Sequence, residues 1–146
     1  MFTLLTPATD EPVSLAEAKA HLRVTHSADD ALIGSLIAAA RETVELNTGR
    51  ALAQAGYQWW PERELWPSCE TPDYLPLQPG IVTSLDGVTP VLFTTAPGPA
   101  PEALKAAIKL LVGDLYENTE ANAEKALSEN PTVARLIWPY RINLGA

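Results

Sequence analysis

The sequence predicts a mainly α fold: a small helical bundle with a short β-hairpin insertion and extended termini. Two long segments place apolar residues at steps of three and four, the spacing of one helix face. A Ser/Glu capping box stands in front of the first segment. Nine of the thirteen prolines lie between Pro61 and Pro101, which excludes long helices there. We expect the 146 residues to form a single domain over 1–146.

The chain begins with a predicted arm and a short helix. Pro7 and Pro12 resist helix, so residues 1–11 should be extended. Ser14 and Glu17 have the spacing of a capping box, in which each side chain accepts a hydrogen bond from the other's backbone N–H. A short helix is therefore predicted over about residues 14–22.

A long amphipathic helix is predicted over about residues 27–48. Ser27 or Asp29 can cap its first turn, and Gly49 provides a left-handed stop. Its apolar residues predict a stripe that faces the core: Leu32, Ile33, Leu36, Ile37, Ala40 and Val44.

The middle of the chain, about residues 53–100, is predicted to be a β and loop insertion. Residues 57–60 have the composition of a short strand. Residues 81–85 and 88–95 should form a hairpin around Asp86-Gly87, a dipeptide that suits a tight turn. Pro90 should confine the return strand to an edge of the sheet, because proline has no N–H to donate.

The C-terminal part predicts two further helices, over about 101–118 and 131–138. Pro101 suits a first helical position, and Pro139 should stop the last helix. We expect the two long helices to share one core, made of Leu32, Leu36, Ile37, Val44, Leu104, Ile108, Leu111 and Leu115.

Composition restricts the function classes. Eighteen acidic residues against ten basic ones give a formal charge of −8, which disfavours wrapping around phosphate backbones. Cys69 is the single cysteine, so no internal disulfide is expected and a reducing cytoplasm is the simplest setting. We also expect neither a membrane span nor a signal peptide, since no apolar run is long enough.

The residues that could carry chemistry form no recognisable site. His21, His26, Asp29 and Asp30 are close in sequence but match no ligand spacing, and a connector followed by a helix cap explains them. Cys69 has no base near it in sequence. We therefore predict no catalytic site, no metal and no cofactor. Three tryptophans are interpreted as core or subunit-contact anchors: Trp59, Trp60 and Trp66. The one cation among them, Arg63, lies between Glu62 and Glu64, whereas stacking on nucleic acid bases is expected to come with several interleaved Lys or Arg residues.

Several segments together resemble the phage head–tail connector proteins. The resemblance covers most of the chain, in the family's order, and is most specific in the first 52 residues. It is carried there by PVSLAEAKAHLRV at 12–24, DDALI at 29–33, LIAAAR at 36–41 and TGRAL at 48–52. Further along, LPLQPG at 75–80 is similar to the segment before the family's middle strand, AAIKLLV and YEN at 106–112 and 116–118 to its last long helix, and PYR at 139–141 to its end.

The resemblance implies a structural virion protein. Such adaptors form a ring under the portal, extend the DNA channel and receive a stopper or tail completion protein; gene transfer agents use the same parts. Portal rings imply roughly twelve copies, joined head to tail. The resemblance also implies a location in the particle neck after assembly in the bacterial cytoplasm, with genome DNA only passing through and no membrane involved.

The C-terminal segment, residues 131–146, is predicted to contact the portal. It carries the Trp, Tyr, Arg and aliphatic mixture that dominates interface hot spots: Arg135, Leu136, Ile137, Trp138, Tyr140, Arg141 and Ile142. The resemblance implies the same role, because the C-terminal segment of this family is associated with portal docking. The competing interpretation is that Ile137 and Trp138 cap the core of their own domain.

The alternative function is a DNA-binding helix-turn-helix module, such as a small terminase subunit, that uses helices 14–22 and 27–48. The pair contains only two arginines, Arg23 and Arg41, whereas a DNA-binding module is expected to cluster several cations. A small enzyme is a second alternative, and it lacks a constellation of catalytic residues.

Overall fold

The computed structural model describes residues 2–60, 75–84, 91–118 and 130–142. Along the chain, the elements are β1 (Phe2–Thr6), α1 (Leu15–Leu22), α2 (Asp30–Thr48), β2 (Gly56–Trp59), β3 (Gly80–Ser84), β4 (Val91–Thr95), α3 (Glu102–Glu117) and α4 (Pro131–Ile137), followed by a 3₁₀ turn (Trp138–Tyr140). Two compact units divide the chain. A helical unit comprises Glu11–Thr48 and Ala100–Arg141, and a sheet unit comprises Met1–Asp10, Gly49–Pro99 and Ile142–Ala146.

In the helical unit, α1 begins with the predicted capping box. The N–H of Glu17 donates to Ser14 Oγ at 3.2 Å, and the N–H of Ser14 donates to Glu17 Oε2 at 2.9 Å. These bonds satisfy N–H groups that have no partner inside the helix. The hydrogen bonds from Ser14 lower the pKa of Glu17, since they favour its charged form. Arg23 ends the helix in the left-handed conformation, with φ of 60°.

The core of the helical unit lies between α2 and α3. Its buried side chains from these helices are Ile33, Ile37, Ala40, Val44, Leu104, Ala107, Ile108 and Val112, and Ala18, Val133 and Ile137 join them from α1 and α4. The predicted pairing of the two long helices is confirmed, because α2 packs against α3. Of the predicted core residues, Ile37, Val44, Leu104 and Ile108 are buried, and Leu36, Leu111 and Leu115 are half-buried. The prediction for Leu32 is wrong, because it is exposed and its neighbour Ile33 is fully buried.

The sheet unit is a four-stranded antiparallel sheet in the order β1-β2-β4-β3. Tyr57 on β2 and Phe93 on β4 lie opposite each other, and their rings stack with centroids 5.4 Å apart. The buried cluster around this pair consists of Ala51, Ala55, Tyr57, Trp59, Leu75, Leu77, Val91 and Phe93.

Within the sheet unit, backbone hydrogen bonds join the segment before β2 to the segment before β3. The N–H of Ala51 donates to the carbonyl of Gln78 at 2.7 Å, and the N–H of Gln78 donates to the carbonyl of Gly49 at 2.9 Å. Gly49 has the predicted positive φ, 68°. At Gly80, a Cβ would lie 2.7 Å from Leu75 Cδ1, so a larger residue there would have to displace the buried Leu75 side chain.

The prediction of a mainly α chain with only a hairpin requires correction, because the fold is mixed α/β. The helices are confirmed, and β3 and β4 pair as predicted, while the turn predicted at 86–87 lies outside the described residues. However, the predicted N-terminal arm contains β1, and β4 is an interior strand. The predicted edge position is therefore wrong, and the described strand β4, Val91–Thr95, contains no proline.

Candidate partner-binding surfaces

The C-terminal helix α4 is anchored to the helical unit by its cap and by two apolar side chains. Asn130 Oδ1 accepts the N–H of Thr132 at 3.0 Å, and Asn130 Nδ2 donates to Asp114 Oδ2 on α3 at 3.0 Å. Val133 and Ile137, one turn apart, are both buried. This buried face means that α4 is part of the core of its own unit.

The residues after Ile137 present a different surface. Trp138 is 67% exposed, and the guanidinium carbon of Arg141 lies 5.0 Å from the centre of its ring. The N–H of Arg141 donates to the carbonyl of Trp138 at 3.3 Å, which closes the 3₁₀ turn through Pro139. A cation stacked on an exposed indole offers both charge and apolar area to a partner.

The structure therefore separates the C-terminal residues that were predicted as one contact element. Ile137 is in the core, whereas Trp138, Arg135 and Arg141 are exposed and Leu136 and Tyr140 are half-buried. Ile142 belongs to the sheet unit, where its Cβ would lie 3.6 Å from a Cβ at Gly49. We define the exposed surface of Arg135, Trp138 and Arg141 as the C-terminal patch.

The predicted tryptophan anchors also differ from one another. Trp59 is buried in the sheet core, so it supports the sheet rather than offering a surface. Trp60 follows β2 directly and is exposed. Trp66 lies outside the described residues. Of the two that the structure describes, Trp60 is the one that a neighbouring molecule could reach.

The acidic residues at the start of α2 connect helices instead of forming a chemical site. Lys19 Nζ on α1 donates to Asp30 Oδ1 at 2.6 Å, and the Tyr116 hydroxyl on α3 donates to Asp29 Oδ2 at 2.7 Å. This hydrogen bond to Asp29 raises the pKa of Tyr116. His26 Nε2 lies 3.8 Å from the same Asp29 oxygen.

Within the described part of the chain, no group of three or more His, Cys, Asp or Glu residues could hold a metal ion. His21 is exposed, and its ring lies close to Gly113 of α3. Cys69 lies outside the described residues. No helix among the described residues is both long and apolar enough to cross a membrane.

A buried ion network centred on Arg41 was not predicted from the sequence. Its Nε donates to Glu11 Oε2 at 2.9 Å and its Nη1 donates to Glu45 Oε2, while Nη2 lies 3.5 Å from Glu42 Oε1. Burial by itself lowers the pKa of Arg41, but the carboxylates of Glu45 and Glu11 outweigh it and raise the pKa. The available signal was the spacing: Arg41 and Glu45 fall on the face of α2 that also carries Ile37 and Val44.

This network also further weakens the alternative of a DNA-binding module, because it takes up one of the cations on which that alternative depends. Arg41 is one of the two arginines that the α1–α2 pair could offer to phosphates. It is buried and engaged with carboxylates, so it offers none. Of the two arginines, Arg23 remains at the surface.

Comparison with known proteins gives one family and two solved structures. A family model described as "Phage gp6-like head-tail connector protein" matches residues 12–141. No curated protein sequence matches the chain. The chain is similar to one chain in each of two structures, "Neck of empty GTA particle computed with C6 symmetry" and "Virion of native gene transfer agent (GTA) particle". In both cases the identity is 20%, the match covers 97% of this chain and 95% of the other, and the TM-score is 0.64, which shows a shared fold.

Proposed function

Because the chain belongs to the phage gp6-like head-tail connector family, we propose that it is the adaptor directly beneath the portal of a phage or phage-like particle. A structural role at the head–tail junction follows from the family itself. The proposal adds the position in the neck. Copies of the chain form a ring of about twelve, extend the DNA channel and receive a stopper or tail completion protein on the other side.

The observation that carries this proposal is the extent of the family match. It begins before α1 and ends after the 3₁₀ turn, so it includes all four helices and three of the four described strands. A helix-turn-helix module would require only α1 and α2, and nothing in the comparisons supports that alternative. The match across both compact units is also the reason to propose that they act as one connector domain over residues 1–146.

The charge of the chain supports a passive role toward DNA. The net charge of −8 opposes condensation on a phosphate backbone, and a channel wall must let DNA move without holding it. Genome DNA therefore passes through the ring and is not bound by it. The particle neck is the final location of the protein, after assembly in the bacterial cytoplasm.

We propose the C-terminal patch as the principal portal contact. Exposed Trp and Arg side chains at the centre of an interface contribute most of its binding energy. Trp138 and Arg141 provide both in one stacked pair. The wider portal-contact element comprises Arg135, Leu136, Ile137, Trp138, Tyr140, Arg141 and Ile142, in which Ile137 holds the helix in place. Trp60, with Trp66, is proposed to contact a neighbouring subunit, and Trp59 supports Trp60 from within the sheet.

Imaging the purified protein with the portal protein of the same particle tests the proposal. We expect rings of about twelve subunits seated on the portal, and weak association or monomers without it, because portal rings supply the template. Sedimentation of the chain by itself checks the second expectation: a stable ring at low concentration would contradict assembly on a template. A chain that never joins a portal complex would contradict the adaptor position.

A further inference from the structure

The two outer strands of the sheet have features that suit pairing with another chain. Within the described residues, β1 pairs with β2 only and β3 pairs with β4 only, so each has one outer edge without a strand beside it. Both strands are five residues long, FTLLT and GIVTS, and neither contains a charged residue or proline. Edge strands that must avoid pairing usually carry such residues, although each of these strands does have one register irregularity.

Large apolar side chains are exposed on both outer strands. Leu4 and Leu5 on β1 are 43% and 54% exposed, and Ile81 on β3 is 60% exposed. On β1 the exposure continues from Thr3 to Thr6, so side chains on both faces of this strand are exposed among the described residues. Burial of these leucines and the isoleucine against a neighbouring strand would remove apolar area from water.

The phase of the hydrogen-bond ladder identifies which backbone groups point outward. The N–H of Thr95 donates to the carbonyl of Ala55, so these two residues form a hydrogen-bonded pair at one end of the β2–β4 ladder. Such pairs recur at every second residue of an antiparallel ladder, so Tyr57 and Phe93 form the next one. The backbone N–H and C=O of the next residue, Gln58, therefore point toward β1, where the residue opposite Gln58 is Thr3. It follows that the N–H and C=O of the next β1 residue, Leu4, point away from the sheet.

At the other edge, the hydrogen bonds between β3 and β4 identify the outward backbone groups of β3. The N–H of Ala96 donates to the carbonyl of Pro79, so Thr94 and Ile81, two residues along the register, form a bonded pair. The backbone N–H and C=O of Phe93 point toward β2, and the residue opposite Phe93 on β3 is Val82. The N–H and C=O of Val82 thus point away from β4, as those of Leu4 point away from β2.

The strand directions make these two edges complementary. Neighbouring strands are antiparallel, so the two outer strands of a four-stranded sheet run in opposite directions. When a second copy is placed beside the first in the same orientation, its β3 is antiparallel to the first copy's β1. Repeating this step joins copies head to tail, which is the kind of interface that a closed ring requires. Pairing β1 with β1 would instead need a twofold axis and would stop at a dimer.

We propose that β1 of one subunit pairs with β3 of the next, so that the sheet continues from copy to copy around the ring. This inference rests on the proposed ring and identifies the surfaces that close it. The occupant of each edge is a second copy of this chain, because the two edges match in length and are opposite in direction. In a chain of net charge −8, both edges are also free of the acidic residues that would repel a like copy.

Two proline variants test the proposal on the full chain. Leu4→Pro and Val82→Pro each remove one outward N–H and leave the bonds to the inner strands in place. Sedimentation from about 1 µM to about 1 mM should show wild-type protein assembling beyond a dimer, since even weak specific contacts are populated at the upper limit. Each variant by itself should remain monomeric over this range. An equimolar mixture should stop at a dimer, because it holds one intact β1 edge and one intact β3 edge.

Matched substitutions separate backbone pairing from side-chain contact and from misfolding. Leu4→Thr and Val82→Thr keep the N–H and should still assemble. Circular dichroism and thermal melting establish that each variant is folded. If a proline variant is unfolded, Leu4→Lys and Ile81→Lys replace it, since each puts a charge on an exposed side chain of one edge. Each lysine variant by itself should then be monomeric, and an equimolar mixture of the two should stop at a dimer.

Every other outcome contradicts the proposal in a distinguishable way. Assembly of Val82→Pro together with a monomeric Leu4→Pro would indicate twofold pairing through β1. Wild-type assembly by both proline variants would place the interface elsewhere and leave the connector function intact. A wild-type chain that is monomeric at about 1 mM would overturn edge pairing, while the portal complex would still decide the connector position.

Discussion

Arg41 and Glu45 lie one turn apart on α2 and form an ion pair inside the protein, with side chains that are each 2% exposed. Glu11, from the segment before α1, completes the arrangement by accepting from Arg41 Nε. A buried charge is stable only when it has partners, because removal from water is otherwise very unfavourable. This pair therefore fixes the side of α2 that faces the core and ties the N-terminal segment to it.

Breaking this pair should strongly destabilise the protein. We expect Glu45→Ala to lower the free energy of unfolding by about 3–5 kcal/mol, because it leaves the Arg41 guanidinium buried with fewer partners. The double substitution Arg41→Met with Glu45→Leu should recover much of that loss, since apolar side chains of similar size need no partner. Urea denaturation of both variants measures the difference. Losses that simply add in the double variant would contradict the coupling of the two residues.

The hydrogen bond from Tyr116 to Asp29 should make stability sensitive to alkaline pH. Its folded-state pKa is raised above the ordinary value of 10.0, so the folded chain holds this proton more tightly than the unfolded chain. The associated stability is complete below pH 10 and is lost as the pH rises through the raised pKa. Wild-type protein should thus be more stable than Tyr116→Phe at neutral pH, and the difference should shrink above pH 10. An equal difference at pH 7 and above pH 10, measured by denaturation, would exclude the bond.

The buried face of α2 predicts unequal effects of truncation at neighbouring positions. Ile37→Ala and Ile108→Ala should each cost about 2–5 kcal/mol, because they leave cavities between α2 and α3. Leu32→Ala is the matched control on the same helix and should cost much less, since Leu32 is exposed. Denaturation midpoints decide the order. A loss of stability in Leu32→Ala as large as that in Ile37→Ala would show that the buried face of α2 had been assigned to the wrong side of the helix.

Binding to duplex DNA should be negligible at about 150 mM salt, because phosphate contacts need cations and this chain carries a net charge of −8. Fluorescence anisotropy with labelled duplex measures it. Arg23→Ala should change nothing, although Arg23 is the exposed cation of the α1–α2 pair. A sub-micromolar, sequence-specific footprint would overturn the connector function and favour a regulatory DNA-binding protein.

Local sequence signals predicted the helices well, and long-range contacts account for most of what the sequence could not show. Ser14 with Glu17, and Gly49 after α2, act on adjacent backbone groups and were found where predicted. β1 was missed because its strand structure depends on β2, more than fifty residues away. Leu32 and Ile33 are both apolar, and only the packing of α2 on α3 decides which of them is buried.

The candidate surfaces were predictable in composition but not in arrangement. The Trp and Arg content of the C-terminal segment pointed to a contact, yet nothing in the sequence separates buried Ile137 from exposed Trp138. That separation arises because Val133 and Ile137 share the buried face of α4, whereas Trp138, whose N–H still donates to the carbonyl of Ala134, lies about 100° further around the helix. Arg41 was misjudged for a related reason: a charged residue on a helix is usually solvated, and burial here depends on Glu45 and Glu11.

The last prediction concerns the C-terminal patch. Trp138→Ala and Arg141→Ala should each weaken binding to the portal at least about tenfold, which is typical of hot-spot residues at the centre of an interface. Their effect on melting should be small, because both side chains are exposed and Arg141 contacts the Trp138 ring at the surface. Portal pull-down and surface plasmon resonance measure binding, and differential scanning calorimetry measures stability.

Ile137→Ala provides the matched control for this prediction, since it changes the preceding residue in the chain and affects the core instead. It should lower the melting temperature clearly, because Ile137 is buried, with Val133 one turn before it. Truncation after Asn130 would remove both Val133 and Ile137 and is expected to destabilise the unit, so it cannot separate docking from folding. The single substitutions can: a folded Trp138→Ala protein that joins the portal normally would show that the patch is not the contact, because the exposed indole would then have been removed without consequence.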